Sequence, residues 1–274
     1  MWKLLLLPIL VYAAILVLMF ALQTRLVFPA GLAAQQGPVP PGTRALSLET
    51  PDGETLRGVH IAGAMGSSDP LLLVFPGNAW NAADAAALVH DILPDHDVVA
   101  FHYRGYAPSG GKASGAALKA DALRVHEAVV RRFPGRPIIA CGFSVGTGVA
   151  ASLAGKRDLA GLVLVTPFDS LARVAGGHYR WLPVRWLFRH AINAAGALEG
   201  RAVPTAIVAA GGDTLIPAER TDALRRRVPK LVFDTTIEDA GHNDIYAHPR
   251  FRRAMAEAVA AVVPRAVKTP TPRP

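Results

Sequence analysis

Gly142-Phe-Ser-Val-Gly146 places a serine between two glycines, just after the apolar run Pro137-Ile-Ile-Ala-Cys141. A G-x-S-x-G pattern there suits a sharp strand-to-helix turn that holds the serine hydroxyl above a sheet. The glycines remove Cβ atoms that would clash in so tight a turn. A serine hydroxyl is a weak nucleophile at neutral pH and needs a general base, itself oriented by an acid. Both follow along the chain. The run Thr205-Ala-Ile-Val-Ala-Ala210 ends in Gly211-Gly-Asp213, and a later run ends in Asp239-Ala-Gly-His242-Asn-Asp244. The order Ser, Asp, His assigns Ser144 as nucleophile, His242 as general base and Asp213 as the orienting acid. Asp239 and Asp244 stand too close to His242 to form a separate orienting loop.

Acyl transfer by such a serine also needs two backbone donors for the developing oxyanion. One is the N–H of the residue after the nucleophile, Val145. The other is expected from the loop Phe75-Pro-Gly-Asn78-Ala-Trp80, where Gly77 allows close backbone approach and leaves the Asn78 N–H aimed at the charge. Each residue also has a plainer reading: Ser144 as a helix N-cap, Asp213 as a turn aspartate, His242 as an ordinary loop histidine, Asn78 as a cap.

For these residues to meet, the chain must bring the ends of separate apolar runs to one edge. Two strands, Ala45 to Thr50 and Thr55 to Ala62, flank the turn Pro51-Asp-Gly53 and read as an antiparallel hairpin. Short apolar runs then alternate with helical stretches. The strands are Leu71 to Phe75, Val98 to Tyr103, Pro137 to Gly142, Gly161 to Thr166, Thr205 to Ala210 and Lys230 to Thr235. Helices are expected at about Ala82 to Leu93, Ser114 to Phe133, from Ser144, Pro217 to Arg227 and Ile245 to Val263. Such alternation predicts an α/β fold with a mainly parallel central sheet and helices on both faces, ligands binding at the carboxyl ends of the strands.

Six segments in order carry a more specific signal: Phe75-Pro-Gly-Asn-Ala79, Tyr103-Arg-Gly-Tyr-Ala-Pro-Ser109, Gly142-Phe-Ser-Val-Gly146, Thr166-Pro-Phe-Asp-Ser170, Gly212-Asp213 and Gly241-His242. Together, over roughly residues 45 to 264, they resemble the α/β-hydrolase family of the BEM46-like and serine aminopeptidase-like kind. The resemblance implies the α/β-hydrolase fold and the triad and oxyanion roles given above. Pro76 stands where family members usually carry a histidine. The segment from about Asp169 to Val203 is short, which implies a small lid. Within it, Tyr179-Arg-Trp-Leu-Pro-Val-Arg-Trp-Leu-Phe-Arg-His190 is basic and aromatic, and reads either as a cap packed over the pocket or as an interfacial, acyl-binding helix.

Other chemistries fit less well. Gly146-Thr-Gly148-Val-Ala-Ala151 matches a dinucleotide-binding G-x-G-x-x-A with Asp169 downstream, but its first glycine lies beyond the strand end and inside the helix. Gly110-Gly-Lys112 lacks the preceding glycine of a phosphate loop. Nine histidines include no H-E-x-x-H, so neither metal nor cofactor is expected. The net charge of +8 is scattered over helix ends, which argues against nucleic acid and is compatible with an anionic bilayer. A single cysteine, Cys141, excludes an internal disulfide.

Residues 4–22 are all apolar apart from the mild interruptions Pro8 and Tyr12, and span roughly 28 Å as a helix. No small-x-small cleavage site follows, so a retained single-pass anchor is expected in preference to a cleaved signal peptide. A short basic N-terminus favours a catalytic domain on the non-cytoplasmic side. Gly- and Pro-rich residues 23–44 are expected as a linker, 45–264 as the hydrolase domain with a lid at about 169–203, and 265–274 as a structureless tail. The expected reaction is hydrolysis of an ester, thioester or amide through an acyl-enzyme, a carboxylester or lipid ester first and a peptide amide second. The substrate is accordingly a small-molecule or lipid acyl compound. A non-catalytic binding or scaffold protein on the same fold is the alternative. Nothing in the residues sets an oligomeric state.

Overall fold

The computed structural model describes residues 2–33, 37–64 and 70–263. The expected tail at 265–274 lies outside them. In chain order the elements are α1 (Trp2–Val27), β1 (Arg44–Glu49), β2 (Thr55–Ile61), β3 (Leu71–Phe75), α2 (Ala82–Ile92), β4 (Val98–Phe101), α3 (Gly115–Arg132), β5 (Ile138–Phe143), α4 (Val145–Ala154) and β6 (Gly161–Val165). There follow α5 (Leu171–His178), α6 (Val184–Leu187), α7 (Ala194–Leu198), β7 (Thr205–Ala210), α8 (Ala218–Arg225), β8 (Leu231–Ile237) and α9 (Pro249–Val262).

Eight strands form one sheet in the order β1-β2-β4-β3-β5-β6-β7-β8. The first two make the expected antiparallel hairpin, and β2 pairs antiparallel with β4. From β4 to β8 every pairing is parallel. The central strands are buried along their whole length, so their sequences run apolar without alternation. Successive residues nevertheless serve opposite layers. Leu71, Leu73 and Phe75 pack with Leu118 and Val125 of α3, Val149 of α4 and Leu224 of α8. Leu72 and Val74 pack with Ala86 and Val89 of α2 and Phe251 and Met255 of α9. Helices therefore cover both faces, as a strand period of two requires.

Local chemistry sets the boundaries. Asn81 caps α2 by accepting from the Ala83 N–H at 2.9 Å, and Ser114 caps α3 through the Ala117 N–H at 3.1 Å. The single helix expected from Ile245 to Val263 is instead a short 3₁₀ turn, Ile245–Ala247, followed by α9. Pro249 lacks an N–H and pushes His248 into an extended conformation, so it opens a new helix rather than continuing the old one.

α1 runs for 26 residues, about 39 Å, and is long and apolar enough by length and composition to cross a membrane. Its flank is open: Val17 is 69% exposed. The helix continues to Val27, beyond the expected span and into the segment read as a linker. Gln23 and Phe28 are buried there against the folded domain. Two polar side chains of this last turn, Gln23 and Thr24, bond to the segment around α6 that is expected to form the lid. Gln23 Nε2 donates to the Leu187 carbonyl at 3.1 Å, Gln23 Oε1 accepts from the Arg189 N–H at 2.8 Å, and Thr24 Oγ1 lies 3.0 Å from His190 Nε2.

Candidate active site

Ser144 directly follows β5, the strand between β3 and β6, with φ of +50°. A left-handed, non-glycine backbone at this point is strained and held by its surroundings. Its N–H donates to the Val165 carbonyl at 3.0 Å, tying the turn to the neighbouring strand. Both flanking glycines are required by space. A Cβ on Gly142 would lie 2.5 Å from the Gly146 carbonyl oxygen, and one on Gly146 would lie 2.1 Å from the Phe75 oxygen. Although Ser144 occupies the N-cap position of α4, its side chain makes no capping bond.

The hydroxyl is engaged elsewhere. Ser144 Oγ is 2.9 Å from His242 Nε2, and His242 Nδ1 is 2.7 Å from Asp213 Oδ2. A carboxylate only accepts, so Nδ1 carries the proton and Nε2 presents its lone pair to the serine O–H. Asp213 sits in the loop after β7, and its other oxygen accepts from the N–H groups of Leu215 (2.9 Å) and Ile216 (2.7 Å). It thus serves as a turn aspartate with one oxygen and orients the histidine with the other. His242 follows β8, and both it and Ser144 are buried. The three residues singled out by the sequence meet at the carboxyl edge of the sheet. Asp239 and Asp244 turn to other partners: Asp239 pairs with Arg250 and His248, and Asp244 accepts from the Gly241 N–H.

The loop after β3 comes alongside. A Cβ on Gly77 would stand only 3.6 Å from Ser144 Cβ. Among the described residues, neither the Asn78 N–H nor the Val145 N–H takes part in a backbone hydrogen bond. Asn81, not Asn78, caps the following helix. Freed from capping, the Asn78 side chain donates through Nδ2 to the Val27 carbonyl at 2.7 Å and accepts the Tyr106 hydroxyl at Oδ1. Tyr103 holds the same loop by donating to the Pro76 carbonyl at 2.9 Å. Burial pushes the Tyr103 and Tyr106 phenols well above their ordinary range, so both stay neutral donors. Sequence reasoning noted the Tyr103-to-Ser109 segment but gave it no task. Two tyrosines three residues apart, following a strand next to the loop after β3, were the available signal.

An aromatic cluster backs this edge. Trp80 meets Phe143 edge to face (centroids 5.4 Å apart) and Tyr246 at a tilt (4.9 Å). Burial, with the Asp213 charge adding to it, raises the Tyr246 phenol to about 12. Asp169 is buried in ion pairs with Arg173 (3.0 Å) and Arg220 (3.3 Å), and Gly148 lies inside α4 where a Cβ would meet Ile192 at 2.3 Å. Gly148 and Asp169 of the dinucleotide-like pattern are therefore occupied by packing and pairing.

Four likenesses bear on the family. Residues 70–203 match the family described as alpha/beta hydrolase fold. The uncharacterized protein Rv2307c of Mycobacterium tuberculosis is 33% identical over 242 residues, covering 86% of this chain and 85% of that protein. The lysophosphatidylserine lipase ABHD12 of Danio rerio is 33% identical over 142 residues, covering 47% of this chain and 37% of the relative. The chain thus spans well under half of that lipase's length. Among solved structures, the Pyrococcus furiosus esterase Pf2001 superposes with a TM-score of 0.65 at 19% identity, covering 84% of this chain and 96% of the other, a likeness of fold. Taken with a parallel sheet whose middle strand ends in G-x-S-x-G, these likenesses establish that the chain belongs to the α/β-hydrolase family.

Proposed function

We propose that this chain is a single-pass membrane-anchored serine hydrolase that cleaves lipid-like carboxylic esters through an acyl-enzyme on Ser144. The observation that carries the reading is the unbroken chain from Ser144 Oγ to His242 (2.9 Å) to Asp213 (2.7 Å) at a strained turn closing the middle strand.

In the proposed reaction Ser144 Oγ attacks the ester carbonyl carbon while His242 Nε2 takes the hydroxyl proton. Asp213 holds the imidazole in the reactive tautomer and stabilises the imidazolium. The oxyanion receives hydrogen bonds from the N–H groups of Asn78 and Val145, an arrangement worth on the order of 3 kcal/mol per donor. Collapse of the tetrahedral adduct breaks the C–O bond, and His242 returns the proton to the leaving alcohol. Water, deprotonated by His242, then releases the acid and restores the serine. The lipid preference rests on an apolar helix at the site's border and on the relatives' description as lysophosphatidylserine lipases. A catalytic domain on the non-cytoplasmic side fits the short basic N-terminus, with Lys3 ahead of the apolar run.

The test is labelling of the detergent-solubilised protein by a fluorophosphonate probe, with hydrolysis of p-nitrophenyl esters alongside. Wild type is expected to label at Ser144, and Ser144→Ala and His242→Ala to remain dark. A folded wild type that neither labels nor hydrolyses any ester would leave the non-catalytic binding protein as the better account.

A further inference from the structure

Between α1 and the cap runs a groove lined by Met19, Phe20, Val27, Ala175, Leu182 and Leu187. Its walls are almost wholly apolar. The amide in it, Gln23, is already satisfied: its nitrogen donates to the Phe20 and Leu187 carbonyls and its oxygen accepts from the Arg189 N–H. Apart from the Tyr179 hydroxyl at its rim, the groove has no spare polar side chain among the described residues, and it suits hydrocarbon better than a headgroup, a sugar or a peptide backbone.

The position of the groove names the source of that hydrocarbon. One wall is the helix long and apolar enough to cross a membrane. The cap follows this helix downward: the Leu187 carbonyl meets Gln23, and the Trp181 carbonyl accepts from the Tyr12 hydroxyl at 2.8 Å. Tyr12 and Gln23 are eleven residues apart, roughly 16 Å along the axis. With α1 in a bilayer, the cap segment therefore descends beside the helix's outer half, toward acyl-chain depth. Its rim carries the exposed aromatics Tyr179, Trp181 and Trp186, with the Arg185 guanidinium 4.3 Å above the Trp186 ring. Trp181, bonded to Tyr12 near the middle of the apolar span, thereby stands at acyl-chain depth. At the other end, Val27 lines the groove and its carbonyl holds Asn78, whose loop abuts Ser144.

We propose that this groove is a lateral entry site for the acyl chain of a bilayer-resident lipid, which slides from the leaflet between α1 and the cap and presents its ester to Ser144. The proposal rests on the serine-hydrolase reading and deepens it. The substrate is a lipid with a long acyl chain that stays in the membrane, and α1 is part of the binding site as well as a tether.

Two measurements on the full chain in nanodiscs test this. Ala175→Phe narrows the groove from the cap side. The ratio of kcat/KM for a twelve-carbon to a four-carbon p-nitrophenyl ester is expected to fall at least about tenfold, by analogy with the 10- to 200-fold discrimination that single methylenes produce in apolar pockets. A ratio within twofold of wild type overturns the proposal. Independently, Ser144→Ala protein is irradiated with a lysophospholipid carrying a diazirine midway along its chain, and the crosslinked peptides are mapped. Label within 19–27 or 175–188 supports the groove. Label confined to other surfaces, or exclusion of the lipid by a second copy of the chain seen as a crosslinked dimer, overturns it. Because crosslinking needs no turnover, it decides the groove even if Ala175→Phe fails to fold. A wild type inactive on both esters would count against the serine-hydrolase reading alone.

Discussion

Asn78 Nδ2 donates to the main-chain carbonyl of Val27 at 2.7 Å, joining the loop beside Ser144 to the last turn of the N-terminal helix. The helix end carries carbonyls with no intrahelical partner, and one of them is satisfied by the very residue whose N–H is proposed to receive the oxyanion. Asn78→Ala is expected to lower kcat about tenfold with little change in KM, and Tyr106→Phe to act in the same direction more weakly. Each removes a bond that positions the loop, not one that grips the ground-state substrate. Steady-state kinetics on a short p-nitrophenyl ester separates the two constants. A rise in KM at constant kcat would count against the positioning role.

Asp213→Asn keeps the shape of the site but turns the accepting oxygen into an amide that can favour the wrong histidine tautomer. Ester turnover is expected to fall about 10⁴-fold, a smaller loss than on removing Ser144 or His242, while the melting temperature stays near wild type. An Asp213→Asn enzyme within tenfold of wild type would mean that another group orients His242.

Gly146 and Gly177 make a matched pair for the packing argument. A Cβ at Gly146 would meet the Phe75 carbonyl at 2.1 Å, whereas one at Gly177, in α5, meets nothing within 4 Å. Gly146→Ala is expected to cost about 3 kcal/mol because the Phe75 and Pro76 carbonyls that the methyl would strike are backbone and neither can swing away. Gly177→Ala is expected to stabilise by about 0.5 kcal/mol through the unfolded state and helix propensity. Urea denaturation followed by circular dichroism reads both.

Burial lowers the proton affinity of His102, His126 and His190, with nearby Arg157 adding to the effect at His126 and Arg189 at His190. The unfolded chain takes up these protons near the ordinary histidine value of 6.5, while the folded chain takes them up only at lower pH. Their contribution to stability is therefore complete above that value and declines as pH falls through it. Melting temperatures at pH 5.5 are expected to lie below those at pH 7.5. His126→Leu, at a site where Nδ1 is buried without a partner among the described residues, is expected to flatten the dependence. An unchanged slope in that variant would remove His126 from the account.

Much of the site was legible because its signals are local. G-x-S-x-G needs only five residues to specify a turn, and the acid and base each announce themselves by closing an apolar run. The sheet was readable for the same reason: the Pro51-Asp-Gly53 turn and the uninterrupted runs of Leu71 to Phe75 and Gly161 to Val165 state their environment directly. The helix end was not. Gln23, Thr24 and Arg25 look like the start of a solvated linker, and only the distant carbonyl of Leu187, the N–H of Arg189 and the ring of His190 turn Gln23 and Thr24 into a docked final turn. The tasks of Tyr103 and Tyr106 were hidden likewise, since each depends on a partner more than twenty residues away. Pro249 could have divided the last helix on sequence grounds alone, because the residue before a proline resists the helical region.

Cys141 lies in the middle of β5, fully buried between Val74 and Val163, and burial lifts its thiol to about 12. A thiol that is neither ionised nor reachable is silent to maleimides and methanethiosulfonates while the protein stays folded. The native chain is thus already a blank background for site-directed labelling. A spin label or fluorophore placed at Leu7, Val17 or Trp186 would report its depth in a bilayer with no cysteine to remove first.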